Sequence, residues 1–257
     1  MIEAVRLARV ETGAGPGVAL LIAHGLFGSA RNWGAMARRL GADRRVVAVD
    51  MRNHGASPRG RAGYEEMAAD LAAAIEAEGA PMDVLGHSMG GKAAMVLALN
   101  RPGLVRRLVV GDIAPVAYGH SQMPLIEAMR ALDLSALASR READRALAER
   151  AVEPEVRAFL LQSLELRAEG RPRWAFDLDR LAEGMARILS FPQVTGRFEN
   201  PALFLAGGAS DYVRAEHEPG IRSLFPATEV VRLPGAGHWL HAEAPEAFEA
   251  EVRRFLA

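Results

Sequence analysis

The chain contains no cysteine, and Lys92 is its only lysine beside thirty arginines. Without cysteine, disulfide bonds, thiolate metal sites and a cysteine nucleophile are excluded. No apolar run approaches the roughly 18 residues of a membrane-spanning helix. Residues 1–13 also lack the apolar core of a signal peptide. The sequence therefore predicts a cytoplasmic protein with no membrane span.

The charges are nearly balanced, with 31 basic residues, 32 acidic residues and a net charge of −1. This balance does not indicate a basic surface for nucleic acid, so no nucleic-acid partner is expected. Half of the 257 residues are hydrophobic, which is enough for one large domain with a sizeable core. The composition does not determine the oligomeric state, and a homo-oligomer is possible.

Strand-like and helix-like segments alternate along most of the chain. Short apolar runs that end at a breaking residue predict strands at 18–23, 45–49, 82–85, 105–110, 202–206 and 229–233. Residues 2–10 alternate instead, which predicts an antiparallel edge strand. Helical periodicity predicts helices over 30–40, 64–78, 89–100 and 245–257. This alternation predicts an α/β fold with a mostly parallel, doubly wound sheet.

Residues 115–199 interrupt the alternation. They contain helix-like stretches and no convincing strand. We expect an all-helical insertion that forms a cap over the C-terminal edge of the sheet, where open α/β folds bind their ligands. The predicted core domain then comprises residues 1–114 and 200–257.

The stretch Gly86-His87-Ser88-Met89-Gly90 matches the pattern G-x-S-x-G. It lies between a predicted strand and a predicted helix, which is the setting that a nucleophile elbow requires. Glycine on both sides of the serine relieves crowding in the tight turn. The pattern therefore predicts that Ser88 is a nucleophile at the carboxyl edge of the sheet.

A serine hydroxyl needs a general base, and the chain offers seven histidines. His238 follows the last predicted strand in a glycine-rich loop that can reach the site, and His241 is its local rival. A carboxylate must orient the imidazole. In the expected chain order the acid lies between Ser88 and the histidine. Two aspartates after predicted strands meet this requirement, Asp112 and Asp211.

The tetrahedral oxyanion of an acyl-transfer reaction needs two backbone N–H donors. The amide that follows the nucleophile belongs to Met89. The second donor is predicted to be the amide of Leu26, beside Gly25 in the loop after the first parallel strand. Three aromatic residues near these loops are candidates for an acyl pocket and equally for ordinary core: Phe27, Trp33 and Trp239.

Four motifs, HGLFGS, DMRNHGAS, GHSMGGK and GAGHWLH, occur in an order and spacing that resemble the α/β-hydrolase superfamily. Within it, the chain is similar to the YbfF-type esterases and their ABHD11-like relatives. The resemblance implies a small helical cap, hydrolysis of acyl esters or acyl-CoA thioesters, and no metal or organic cofactor. It also implies that Asp112 is the triad acid, with Ser210 at the later position. The chain departs from that pattern by carrying Asp211 beside Ser210.

These observations predict a serine hydrolase that cleaves carboxylic esters or acyl thioesters through an acyl-enzyme. A lactonase or a cofactor-free perhydrolase would use the same triad, and a non-catalytic ligand-binding module on the same fold is a third hypothesis. Lys92 lies four residues after Ser88, about one helical turn away. We expect it to have a structural role through a salt bridge or a carbonyl contact.

Overall fold

A computed structural model describes residues 2–166 and 171–257. Within them the chain forms nine strands: β1 (Arg9–Thr12), β2 (Gly17–Ala23), β3 (Arg44–Val49), β4 (Met82–His87), β5 (Val105–Gly111), β6 (Leu164–Glu165), β7 (Arg173–Trp174), β8 (Ala202–Gly207) and β9 (Thr228–Leu233). Seven of these strands form the main sheet in the order β1-β3-β2-β4-β5-β8-β9. Only β1 runs antiparallel to its neighbour there.

Helices connect the strands and cover the sheet. Those in the described residues are α1 (Gly34–Leu40), α2 (Tyr64–Glu76), α3 (Met89–Asn100), α4 (Met123–Arg130), α5 (Arg140–Ala148), α6 (Pro154–Gln162), α7 (Leu178–Leu189), α8 (Glu218–Leu224), α9 (Leu240–Glu243) and α10 (Pro245–Leu256). No helix in this part of the chain has both the length and the apolar character needed to cross a membrane.

Both faces of the parallel sheet are buried, because successive strand residues point to opposite sides. In β2, Leu20 and Ile22 pack with residues of α1 and α10, whereas Leu21 and Ala23 pack with α2 and α3. Strands of this kind are apolar at nearly every position, which is why the continuous runs were readable from the sequence. The six predicted parallel strands and the α/β-hydrolase fold are confirmed.

The predicted position of the edge strand is wrong. The antiparallel strand spans Arg9–Thr12 and not residues 2–10. Side chains bind the backbone of the preceding segment: the Val5 N–H donates to Asp70 Oδ1 at 2.7 Å, and the Ala8 N–H donates to Ser57 Oγ at 2.8 Å. These bonds satisfy the donors that a sheet ladder would otherwise use, so strand pairing begins only at Arg9.

The expectation of an all-helical insertion is also wrong in one detail. Strands β6 and β7 pair antiparallel, with Leu164 opposite Trp174. Both of these side chains are buried. Pro172, immediately before β7, is unsuited to a helix interior. The seven strands of the main sheet lie within residues 1–114 and 200–257, and α4–α7 with the β6–β7 hairpin lie within residues 115–199, hereafter the insertion.

Candidate active site

Ser88 lies in the sharp turn between β4 and α3. His87 is the last residue of the strand, and Met89 is the first residue of the helix. The φ angle of Ser88 is 53°, in the left-handed region that non-glycine residues seldom adopt. A strained strand-to-helix turn of this kind raises the serine hydroxyl above the edge of the sheet.

The glycines around Ser88 are required by the closeness of neighbouring backbone. A Cβ atom on Gly90 would overlap the carbonyl oxygens of Ala23 and His24 at the end of β2. A Cβ atom on Gly86 would overlap the carbonyl oxygen of Gly90. The turn can therefore be this tight only with glycine at both positions.

Ser88, His238 and Asp112 form a continuous hydrogen-bonded chain. His238 Nε2 lies 3.0 Å from Ser88 Oγ, and His238 Nδ1 lies 2.7 Å from Asp112 Oδ2. A carboxylate only accepts hydrogen bonds, so the proton of the neutral imidazole lies on Nδ1. Nε2 is then unprotonated and faces the serine hydroxyl. Of the predicted residues, these three are brought together in the arrangement that activates a serine.

Asp112 is completely buried and follows directly after β5. Its φ angle of 46° lies in the left-handed region, so the extended strand does not continue through Asp112. The Gly207 N–H donates to Asp112 Oδ1 at 2.9 Å, and the Ser210 hydroxyl donates to Oδ2. Together with His238, these donors give the buried carboxylate its hydrogen bonds, and they come from the ends of the neighbouring strands β8 and β9.

Asp211 lies on the surface. It is exposed, and among the described residues its carboxylate forms no hydrogen bond with His238. The residue before it, Ser210, is the one that reaches Asp112. The two aspartates that the residue pattern left open thus occupy different environments, one buried against His238 and one in solvent.

His241 does not contact Ser88. Its ring stacks on Trp33, with centroids 4.0 Å apart and an interplanar angle of 14°. Burial lowers the pKa of His241 to about 4. His87 points under the loop that carries His238, and its Nε2 donates to the His238 carbonyl oxygen at 2.8 Å. Nothing in the local sequence pattern around His87 predicts this support of the loop.

Buried histidines hold the loop that follows β2. Phe27 has a φ angle of 62°, and its N–H donates to His54 Nε2 at 3.2 Å. Its carbonyl accepts from Ser163 Oγ in the insertion at 3.1 Å. His24 Nδ1 donates to the carbonyl of Gly25 at 2.8 Å. His24 Nε2 accepts from the Met51 N–H at 2.9 Å, as His54 Nε2 accepts from Phe27. Burial lowers the pKa of both histidines, which favours the neutral form that an accepting nitrogen requires.

A cavity of about 280 Å³ opens beside Ser88 and His238. Its lining includes the other residues predicted for the site: Leu26, Phe27, Trp33, Met89 and Trp239. Trp33 is only 1% exposed, so it also belongs to the core. The insertion contributes Tyr118, which precedes α4, and six apolar helical residues to the lining: Leu125, Val156, Phe159, Leu160, Ile188 and Leu189. The sequence does not predict the helical part of this lining, since apolar residues on amphipathic helices occur in core and pocket alike.

Comparison with known proteins places this fold and geometry in a family. The model of the alpha/beta hydrolase family matches residues 20–251. The chain belongs to the alpha/beta hydrolase family. The mouse protein named sn-1-specific diacylglycerol lipase ABHD11 is 42% identical over 249 residues, covering 93% of this chain and 81% of its relative.

Two further relatives match this alpha/beta hydrolase over nearly its whole length. The protein of Escherichia coli K12 named esterase YbfF is 36% identical over 242 residues, covering 92% of each chain. A solved structure described as a marine microorganism esterase is 35% identical and superimposes with a TM-score of 0.93. The match covers 98% of this chain and 100% of that one.

Lys92 is buried beneath the site and binds three carbonyl oxygens. Its Nζ lies 2.7 Å from the oxygen of Val116, 3.1 Å from that of Leu189 and 2.6 Å from that of Ser190. The Nζ atom also lies 4.7 Å from the ring centroid of Tyr118. These partners belong to the beginning and the end of the insertion, so the predicted carbonyl contact is confirmed and joins the insertion to α3.

Replacing Gly90 with alanine should destabilise the turn. Because the added Cβ meets backbone atoms of Ala23 and His24, Gly90→Ala should lower the free energy of unfolding by about 1–3 kcal/mol. Gly103→Ala is the matched control, since a Cβ there meets nothing within 4 Å. It should change stability by less than about 1 kcal/mol. Denaturant titration of both variants tests this, and equal effects would contradict it.

Lys92 should make stability depend on pH. Burial lowers its pKa from 10.5 to about 7, so between these values the unfolded chain binds more protons than the folded one. The contribution of Lys92 to stability therefore rises with pH through this window and is smallest below about pH 7. Lys92→Met removes the titrating group. The free energy of unfolding of the natural protein minus that of the variant should increase from about pH 6 to about pH 9. A constant or falling difference would exclude the lowered pKa.

Proposed function

We propose that the protein is a serine hydrolase that cleaves carboxylic esters or acyl thioesters through an acyl-enzyme. The observation that carries this proposal is the chain from Ser88 Oγ through His238 to Asp112, with contacts of 3.0 and 2.7 Å. These three hydrogen-bonded residues lie at the edge of an apolar cavity, where an acyl group can bind beside the serine. The names of the relatives, which are esterases and a lipase, support the same class of reaction.

The first half of the proposed reaction acylates Ser88. His238 Nε2 accepts the hydroxyl proton as Ser88 Oγ forms a bond to the carbonyl carbon of the substrate. The carbonyl electron pair moves to oxygen, and Asp112 stabilises the imidazolium that results. His238 then gives its proton to the leaving alcohol or thiol as the carbon–oxygen or carbon–sulfur bond breaks.

The second half releases the acyl group. His238 takes a proton from water, whose oxygen attacks the acyl carbon. Collapse of the second tetrahedral intermediate returns the proton to Ser88 Oγ and frees the carboxylic acid. Each half needs one general base that becomes a general acid, and His238 serves in both.

The proposed oxyanion hole consists of the amides of Leu26 and Met89. Both residues line the cavity with Ser88, and Met89 opens α3, where the helix dipole favours negative charge. The bonds of Phe27 to His54 and Ser163 hold the loop on which Leu26 lies. Backbone donors held in this way need no reorganisation when the oxyanion forms.

The proposed acyl-binding surface is contributed largely by the insertion. We assign residues 115–199 the role of a cap, with residues 1–114 and 200–257 as the catalytic core. Leu125, Val156, Phe159 and Leu160 of the insertion line the cavity together with the core residues Phe27 and Trp239. This apolar lining favours the hydrocarbon part of an acyl substrate.

Ser88→Ala tests the proposal. The variant should lose turnover of a p-nitrophenyl ester and labelling by a fluorophosphonate, because no other hydroxyl lies on His238 Nε2 among the described residues. Ser223→Ala changes an exposed serine of α8 and is the matched control, which should be labelled like the natural protein. Turnover or labelling that survives in Ser88→Ala would refute the assignment.

Paired asparagine variants test the choice of acid. Asp112→Asn should lower kcat by about 10⁴, the loss seen when the carboxylate of a well-studied triad is replaced, because an amide favours the wrong imidazole tautomer. Asp211→Asn should stay within about threefold of the natural kcat, since its exposed side chain is not the partner of His238 Nδ1. Steady-state kinetics on one ester measures both, and the opposite ranking would make Asp211 the acid.

A further inference from the structure

Tyr212 packs directly on the ring of His238. The two ring centroids are 4.1 Å apart, and the ring planes differ by 23°. The side chain of His238 remains 21% exposed, so its orientation depends on neighbouring groups and not on complete burial. Tyr212 lies five residues after Gly207, whose N–H donates to Asp112, and it lines the same cavity as Ser88.

The hydrogen bonds of His238 do not by themselves fix its ring. They join Nδ1 to Asp112 Oδ2 at 2.7 Å and Nε2 to Ser88 Oγ at 3.0 Å. Tilting the ring about the line between these two nitrogens changes either distance little. A stacked aromatic neighbour resists this tilt, because the edge of the imidazole would move into the face of the neighbour.

Tyr212 is held firmly enough to act as such a neighbour. The Tyr118 hydroxyl donates to the Tyr212 carbonyl at 2.6 Å and accepts from the Ala114 N–H at 2.9 Å. The Tyr212 N–H donates to Ser210 Oγ at 3.3 Å, and Ser210 donates to Asp112. One short loop therefore supports the acid through Ser210 and the imidazole through Tyr212.

The hydroxyl of Tyr212 takes part in a separate contact. It lies 2.8 Å from Nε2 of His120, which is an exposed side chain. The aromatic ring of Tyr212 therefore forms the stacking contact with His238, and its hydroxyl does not take part in that contact. This separation lets phenylalanine preserve the stack while removing the polar contact.

We propose that Tyr212 is a positioning residue, whose stacked ring keeps His238 aligned between Asp112 and Ser88 during the reaction. This inference rests on the proposed function, because it assigns His238 as the general base. A misplaced catalytic group lowers the rate of the chemical step more than it lowers substrate affinity. The role should therefore be visible in kcat and not in KM.

The test compares Tyr212→Leu with Tyr212→Phe in the full-length protein on a p-nitrophenyl ester. Tyr212→Leu should lower kcat by about 10- to 100-fold, with KM within about threefold of the natural value. Tyr212→Phe should retain kcat within about threefold. The low-field proton resonance of the His238 Nδ1–H should persist in Tyr212→Phe and broaden in Tyr212→Leu. If Tyr212→Leu does not fold, Tyr212→Met replaces it.

Phe198→Leu is the matched control for loss of a buried aromatic ring. Phe198 packs near Phe225, with centroids 6.2 Å apart, outside the lining of the cavity. Phe198→Leu should lower Tm without lowering kcat, which separates positioning from stability. A natural kcat in Tyr212→Leu, an equal loss in Tyr212→Phe, or a change in KM alone would overturn the inference.

The two proposals fail in different ways. If the natural protein neither turns over esters nor reacts with a fluorophosphonate, the proposed function fails. The resonance of His238 still tests the positioning role in that case, since it does not depend on turnover. An unchanged resonance in Tyr212→Leu would then refute the role of Tyr212.

Discussion

The buried carboxylate of Asp112 is the constraint on which the rest of the site depends. A charged group without solvent has to find its donors inside the protein, because an unpaired buried charge is strongly unfavourable. The donors come from Gly207 at the end of β8, from Ser210 in the following loop and from His238 beyond β9. Satisfying one carboxylate thus draws three segments to the end of β5 and places the imidazole opposite Ser88.

Lys92 joins separate segments of the insertion by hydrogen bonds, as Asp112 joins separate strand ends of the main sheet. Its three carbonyl partners, at Val116, Leu189 and Ser190, bring both ends of the insertion onto α3. The same helix begins directly after Ser88. Ser88 therefore lies at the start of the helix that Lys92 joins to the insertion, which relates the position of the cavity lining to that of the serine.

Local patterns predicted the parts of the protein that local physics controls. Parallel strands buried on both faces are continuous apolar runs, and the glycines around Ser88 report a turn where no Cβ fits. The predicted bounds of the edge strand were wrong because the side chains of two distant residues, Asp70 and Ser57, accept hydrogen bonds from backbone N–H groups before Arg9. The β6–β7 pair was not predicted, because its pairing depends on burial within the insertion and not on strong strand propensity.

The α/β fold could be predicted from the alternation of apolar runs and helical stretches along the chain. The elbow at Ser88 and the glycine-rich loop that carries His238 could be predicted from the spacing of a few neighbouring residues. The residues alone left Asp112 and Asp211 open, because both follow strands that end at the same edge of the sheet. In the folded protein Asp112 is the one that is buried and hydrogen-bonded to His238, which depends on contacts between distant strand ends. The tertiary structure also decided the stacking of Tyr212, because that contact joins two loops whose separation in space no local pattern encodes.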